Sequence, residues 1–329
     1  MPFARKIVQN MEHGSINVQG ASGCVGGGDF HRSLFYQAVS IENLFAAWRT
    51  FKRGKGRKLD VQQFGLRIEE NIFALHEELM AGTWRHGPYK QFLVSDPKPR
   101  IIHKATVKDR VVHQAVVNVL EPIFEPTFLP HSWSCRKGKG VDASVNAVHT
   151  ALENISRHVR NDIWILHGDI RKYFASIDHD ILRKQIVDRI GRDEIMGIVD
   201  AIFDSHSSGL PLGNVTSQLF GNAYLSAFDR WIVERIHPKY YARYCDDVLL
   251  VDTDPTKLYR SLEPIKLFLQ DKLHLAVHPQ KISLQRYCSG VDWLGTRCFP
   301  GGDRRVREVT RKRSWKKIGT TIRNLHEGV

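Results

Sequence analysis

Tyr241-Ala242-Arg243-Tyr244-Cys245-Asp246-Asp247-Val248-Leu249-Leu250-Val251 is the stretch that decides how this chain is built. Two runs rich in aromatic and aliphatic residues flank a turn that carries two adjacent carboxylates. The runs read as interior strands. Two neighbouring aspartates on a sharp turn repel each other, and at a surface they would simply be solvated. Between buried strands they need a counter-charge, and a divalent cation supplies it.

A second apolar run lies upstream. Ile163-Trp164-Ile165-Leu166 is consistent with a buried strand, and Asp169 follows it after His167 and Gly168. A carboxylate at the end of a buried strand is costly unless something pairs with it. Alone, Asp169 would read as a helix cap. On a strand beside the 246–247 pair it completes a set that could hold two Mg²⁺ ions. Mg²⁺ takes hard oxygen ligands, often one or two carboxylates with water and substrate phosphates. Two such ions activate an attacking oxygen and stabilise a leaving one, which is the chemistry of phosphoryl transfer to a 3′-hydroxyl.

Further out, the pattern is mixed. Ser40 caps a predicted helix with Ile41, Leu44, Phe45 and Trp48 at helical spacing, and a basic loop runs from Lys52 to Lys58. A second helix is expected over 61–80. Gln91-Phe92-Leu93-Val94 and Arg100-Ile101-Ile102 read as strands of a hairpin around a proline-rich turn. Helices are expected over 106–124, 142–155, 179–190, 193–203, 215–235 and 255–273. Residues 1–33 carry little hydrophobic pattern and read as a flexible extension; the glycines 26–28 lack the G-K-[ST] of a phosphate loop. The fold class is α/β mixed, a small antiparallel sheet with helices packed on it.

The chain of 329 residues carries a net charge of +13, which favours a polyanionic partner. Its five cysteines form no C-x-x-C pair, so neither a disulfide framework nor a zinc site is indicated. Sixteen histidines are scattered and read as surface or ordinary core residues. No apolar run spans a bilayer and MPFARKIVQN lacks the apolar stretch of a secretory signal, so no membrane partner and a cytoplasmic location are expected.

At this point the chain resembles the reverse transcriptases. Tyr244-Cys245-Asp246-Asp247 is similar to their Y-x-D-D box, and Asp169-Ile170-Arg171-Lys172-Tyr173-Phe174 to their first palm motif. Lys98-Pro99-Arg100, Lys108-Asp109-Arg110 and Ser134-Cys135-Arg136 resemble fingers motifs of the bacterial and group II intron branch, and Trp293-Leu294-Gly295 resembles the primer grip. The boxes come in the family's order over about 40–300. Pro211-Leu212-Gly213-Asn214-Val215-Thr216-Ser217-Gln218 departs from the P-Q-G-x-x-x-S-P of most bacterial relatives. With Leu for Gln and Gln for Pro, it looks like the reverse transcriptases of diversity-generating retroelements; Gly87-Pro88-Tyr89 is also similar to that group.

The resemblance implies a right-hand polymerase fold: fingers with part of the palm over 34–160, palm over 161–300, and a short or truncated helical thumb from 301. The run 304–317 holds eight basic side chains against Glu308 and would start that thumb helix. Asp169, Asp246 and Asp247 become the catalytic residues and ligands of two Mg²⁺ ions, with Mn²⁺ a substitute. Lys98, Arg100, Ile170, Phe174, Leu212, Gly213 and Gln218 would bind the dNTP, Phe174 as the gate against a ribose 2′-hydroxyl. Arg136 is a further candidate for the triphosphate. Lys281, in Leu275-Ala276-Val277-His278-Pro279-Gln280-Lys281, is a candidate proton donor to pyrophosphate. The implied partners are template RNA, the RNA/cDNA duplex, dNTPs and a small helical accessory protein. The implied activity is cDNA synthesis that is error-prone at adenines. The alternatives are a defence-associated or group II intron-like reverse transcriptase and a non-catalytic RNA-binding protein. The intact aspartate set argues against the last.

Overall fold

Local capping chemistry starts the N-terminal helices. Helix α1 (Leu34–Val39) runs into α2 (Ile41–Lys52), where the Ser40 side chain accepts a hydrogen bond from Asn43 N at 3.2 Å. Then come α3 (Leu59–Leu66) and α4 (Ile68–Met80). The single helix expected over 61–80 is therefore two: Arg67 leaves helical geometry at φ −123°, ψ 44°. The computed structural model describes residues 33–95, 99–159, 162–302 and 304–306. The expected N-terminal extension and its glycine run lie outside them.

Strands β1 (Lys90–Val94) and β2 (Arg100–Lys104) form the expected antiparallel hairpin, with Phe92 opposite Ile102. Thr106 caps α5 (Val107–Phe124), accepting from Asp109 N at 3.2 Å. Next are α6 (Val141–His158), β3 (Trp164–Asp169), α7 (His179–Ile190), α8 (Ile195–Asp204) and α9 (Val215–Trp231). The carboxyl half continues with β4 (Tyr240–Tyr244), β5 (Asp247–Asp252), α10 (Pro255–Leu273) and β6 (Ser283–Arg286). It ends in β7 (Val291–Trp293), β8 (Thr296–Cys298) and β9 (Arg304–Val306).

The central sheet has the order β4-β5-β3-β6, and every neighbouring pair is antiparallel. Alternate side chains feed two cores, as the pleat requires. Ile165, Ala242, Leu249 and Val251 pack with Val148 and Leu152 of α6 and with Trp293. Leu166, Tyr241, Val248 and Leu250 join the larger core with Phe228 of α9 and Leu269 of α10. Helix α5 packs against α2 and α9, which ties the N-terminal helices to the sheet. From Leu34 onward the described residues form one compact unit.

The mixed α/β class with an antiparallel sheet is as expected. The C-terminal region differs. Arg304–Val306 pairs with β8 as a strand, so the basic run does not start as a helix; 307–329 lie outside the described residues. Among the described residues no helix is long and apolar enough to cross a membrane.

Candidate active site

The sheet register builds the acidic cluster. Asp169 ends β3 directly opposite Asp247 at the start of β5. Cys245 and Asp246 form the two-residue turn that joins β4 to β5, with Tyr244 opposite Asp247. Cys245 has φ +58°, a left-handed conformation that costs a non-glycine residue about 1–2 kcal/mol. Both carbonyls of the turn are gripped. Arg243 Nη1 donates to Cys245 O at 3.1 Å, and Ile170 N donates to Asp246 O at 3.1 Å.

Arg243 carries this arrangement from inside the protein. Its guanidinium is fully buried and forms two hydrogen bonds to the equally buried Asp229 carboxylate: Nε to Oδ1 at 2.6 Å and Nη2 to Oδ2 at 2.7 Å. Ser132 Oγ and Asn222 Oδ1 accept further hydrogen bonds at 2.9 and 3.3 Å, while Tyr241 OH donates to Asp229 at 2.6 Å. Sequence reasoning missed this network. Its one signal was an arginine inside an otherwise interior strand.

Burial, then the like charges of Asp247 and Asp169, push the Asp246 carboxyl up to about 6. Burial, and then Asp246, also raise the Cys245 thiol, which leaves it a neutral spacer. Lys281 Nζ donates to Asp169 Oδ2. It gets there because 276–278 runs beside β3: Arg171 N donates to Ala276 O at 2.8 Å, and His278 N to Asp169 O at 2.7 Å. On the other side His167 Nε2 lies 3.6 Å from Asp247 Oδ1, with its ring edge-on to Trp293.

Among the described residues no three His, Cys, Asp or Glu side chains stand close enough to hold a metal ion by themselves. The donors nevertheless fit a hard divalent cation: they are carboxylate oxygens only, and their mutual repulsion adds to burial in raising Asp246. An ion of this kind commonly draws its remaining ligands from water and substrate phosphates, so a closed protein cage is not required.

The other expected site residues lie on several elements. Arg100 is exposed on the hairpin, and Lys98 lies outside the described residues. The hairpin is tied to the 212 loop by His103 N donating to Leu212 O at 2.9 Å. Gly213 has φ +118°, and a Cβ there would meet Ile102 Cγ2 at 3.0 Å and His103 O at 3.1 Å, so the close approach needs glycine. Gln218 is exposed on α9. Phe174 is half-buried with its ring against Gly221, and its carbonyl accepts from Leu210 N at 2.7 Å. Ile170 is a core residue that meets the site through its N–H.

Trp293 is fully buried, its Nε1 donating to Ser144 Oγ at 2.9 Å. What it presents is the turn Leu294–Gly295, which lines a cleft with His167 and Asp247. Arg136 departs from its expected place at the triphosphate. It binds Glu125 at 2.7 Å and the carbonyls of Leu129 and Ser132, and so holds its own loop together.

A family model described as reverse transcriptase (RNA-dependent DNA polymerase) matches residues 94–298, well over half the chain. The chain belongs to the reverse transcriptase family. Its enzyme class is accordingly RNA-directed DNA polymerase, and reverse transcriptase domains generally use divalent metal ions. Protein YkfC of Escherichia coli is 24% identical over 275 residues, which cover 70% of this reverse transcriptase chain and 72% of that protein. The group II intron-encoded protein LtrA of Lactococcus lactis is 28% identical over 196 residues, 52% of this chain but 32% of LtrA. Among solved structures, a telomerase from Candida albicans in complex with a fragment of telomeric RNA superposes with a TM-score of 0.50 at 11% identity. That match covers 73% of this chain and 49% of the telomerase chain, and it supports the polymerase fold. The chain thus spans about a third of LtrA and about half of the telomerase.

Proposed function

We propose that this reverse transcriptase copies a template RNA into cDNA by two-metal nucleotidyl transfer centred on Asp169, Asp246 and Asp247. The observation that carries the reading is the register that sets Asp169 opposite Asp247 with Asp246 on the adjoining turn. Mg²⁺ ions held there, with Mn²⁺ as a substitute, would supply the charge that activates the primer 3′-hydroxyl and stabilises the leaving pyrophosphate. The protein's own share is positioning. Ile170 N and Arg243 hold the turn that aims the carboxylates. Arg100 and the Leu212–Gly213 loop form the dNTP side, with Phe174 as the gate and Gln218 nearby. The Leu294–Gly295 turn flanks the primer end. Lys281 would hand a proton to the leaving group, and its bond to Asp169 supports that role.

Replacing Asp246 with Ala should reduce dNTP incorporation on a primed RNA at least roughly a hundredfold, while RNA binding persists. Undiminished incorporation would remove Asp246 from the metal site.

The finer reading is an error-prone enzyme of a diversity-generating retroelement, working with a small helical accessory protein. It rests on Leu212 and Gln218. A Gln side chain at 212 could hydrogen-bond to the nucleotide, whereas Leu can neither donate nor accept there. Substituting Leu212→Gln should lower misincorporation at adenines by about tenfold, the discrimination of one hydrogen bond of about 1.4 kcal/mol. An unchanged error spectrum would sink that role. The similarity to LtrA favours a second reading, an enzyme of the group II intron kind. It predicts an error spectrum without adenine bias.

A further inference from the structure

The loop joining α2 to α3 reads Lys52-Arg53-Gly54-Lys55-Gly56-Arg57-Lys58: five cations, two glycines and no acid. Every residue from Lys52 to Leu59 is exposed. The loop is nonetheless folded, with Lys55 N donating to Lys52 O and Lys58 N to Lys55 O, each at 2.9 Å. Gly54 needs its left-handed φ of +69° for that turn, and a Cβ at Gly54 or Gly56 would meet nothing within 4 Å. The backbone is therefore open to an approaching chain.

The charges divide into two groups. Lys55 Nζ donates to Phe51 O and lies over the Phe51 ring, and Lys52 lies over Trp48. Nearby, Lys104 and Arg110 share the Asp60 carboxylate at 2.7 and 2.9 Å, and Lys108 pairs with Glu78. Arg53, Arg57 and Lys58 have no side-chain partner among the described residues. Three unneutralised cations on one short turn repel one another, and a polyanion relieves that repulsion by giving up its own counterions. They are spread over six residues of an exposed turn, which suits successive phosphates better than a single small anion.

The position narrows the partner. Asp60 ties the turn to Lys104 at the base of β2, and β2 is tied through His103 to Leu212. The turn thus belongs to the hairpin side of the aspartates. The Leu294–Gly295 turn belongs to the other side, with Trp293 on the sheet face that carries His167.

We propose that the turn Lys52–Lys58 is a docking surface for the sugar–phosphate backbone of the RNA template ahead of the copied position, gripping it by charge and not by sequence. It rests on the reverse transcriptase reading above. The test uses the full chain with Arg53, Arg57 and Lys58 all changed to Gln, and a second variant, R53K/R57K/K58R, that keeps the charges. Binding is measured across a salt series to two primer–templates: one with a long 5′ RNA overhang, one ending at the primer terminus.

Losing three phosphate contacts should lower the slope of log affinity against log salt by about 2 for the overhanging template, with affinity at moderate salt down roughly tenfold to a hundredfold. The blunt template and the charge-keeping variant should be unaffected. Unchanged affinity and slope for the overhang would overturn the proposal. Equal loss on both substrates would overturn the assignment to the uncopied template, and loss in the charge-keeping variant would overturn the charge mechanism. Thermal unfolding of the variants monitors the fold. Incorporation by the unaltered chain on the same substrates tests the polymerase reading separately, so the two can fail independently.

Discussion

Arg243 shows why a residue far from any substrate can matter to this chemistry. It is fully buried, so its charge is tolerable only because Asp229 and three other partners surround it. One of its bonds leaves that network and ends on Cys245 O, in the strained turn that presents Asp246. Changing Arg243 to Met strands the Asp229 carboxylate in the core and should cost about 3–5 kcal/mol of stability by denaturant unfolding. Removing both charges, as R243M/D229L, should recover much of that stability. It should not recover dNTP incorporation, because Cys245 O still lacks its donor. Incorporation restored along with stability in the double variant would mean that the pair only holds the core together. The two roles were hidden in the sequence for different reasons. The aspartates announce themselves as adjacent charges between apolar runs. Arg243 and Asp229 are ordinary residues until the fold brings β4 against α9.

At the scale of elements, what was legible was what local chemistry decides. Ser40 caps its helix as a hydroxyl ahead of an apolar repeat should. The hairpin β1–β2 and the strand–turn–strand around Asp246 follow from patterns contained within the segments themselves. What escaped depends on contacts across the fold. The break at Arg67 has no proline to mark it; the nearby Gly65 backs onto the Trp48 ring, where a Cβ would lie 3.3 Å from Cζ2. Strands of three residues, as in β7, β8 and β9, are too short to show an alternation. Their sheet takes up residues 304–306, where the basic run begins. The site shows the same division. The carboxylates were marked by motifs, and the sheet register brings Asp169 opposite Asp247. The burial of Trp293 and the inward turn of Arg136 became visible only with the packing.

At the scale of the whole molecule, four of the sixteen scattered histidines turn out to be gathered. His86, His103 and His206 surround Tyr89 beneath the hairpin, and His113 reaches His86 from α5. His86 Nδ1 faces Gly87 O at 2.6 Å, so it carries a proton there. With His86 neutral, its Nε2 accepts from His113 Nε2 at 3.0 Å, and His113 Nδ1 in turn accepts from Thr216 Oγ1 at 2.7 Å. Burial, and then His86, lower His113 to about 3. The unfolded chain takes up a proton at His113 near pH 6.5, and the folded chain does not until far lower. The stability this neutral histidine supports is therefore present above about pH 6.5 and is lost as pH falls toward 3, by at most about 1.4 kcal/mol per pH unit. Burial and His206 lower His103 in the same sense. Asp246 works in the opposite one: raised to about 6, it makes the fold relatively more stable as pH falls from there toward the ordinary carboxylate value. Total stability blends these effects, but a comparison isolates one. The stability advantage of the wild type over His113→Asn should shrink steadily from pH 7 to 4 in urea unfolding, because only the wild type pays the proton cost. A gap that stays constant over that range would show that His113 is not held neutral by the fold, and that its bond to Thr216 contributes to packing alone.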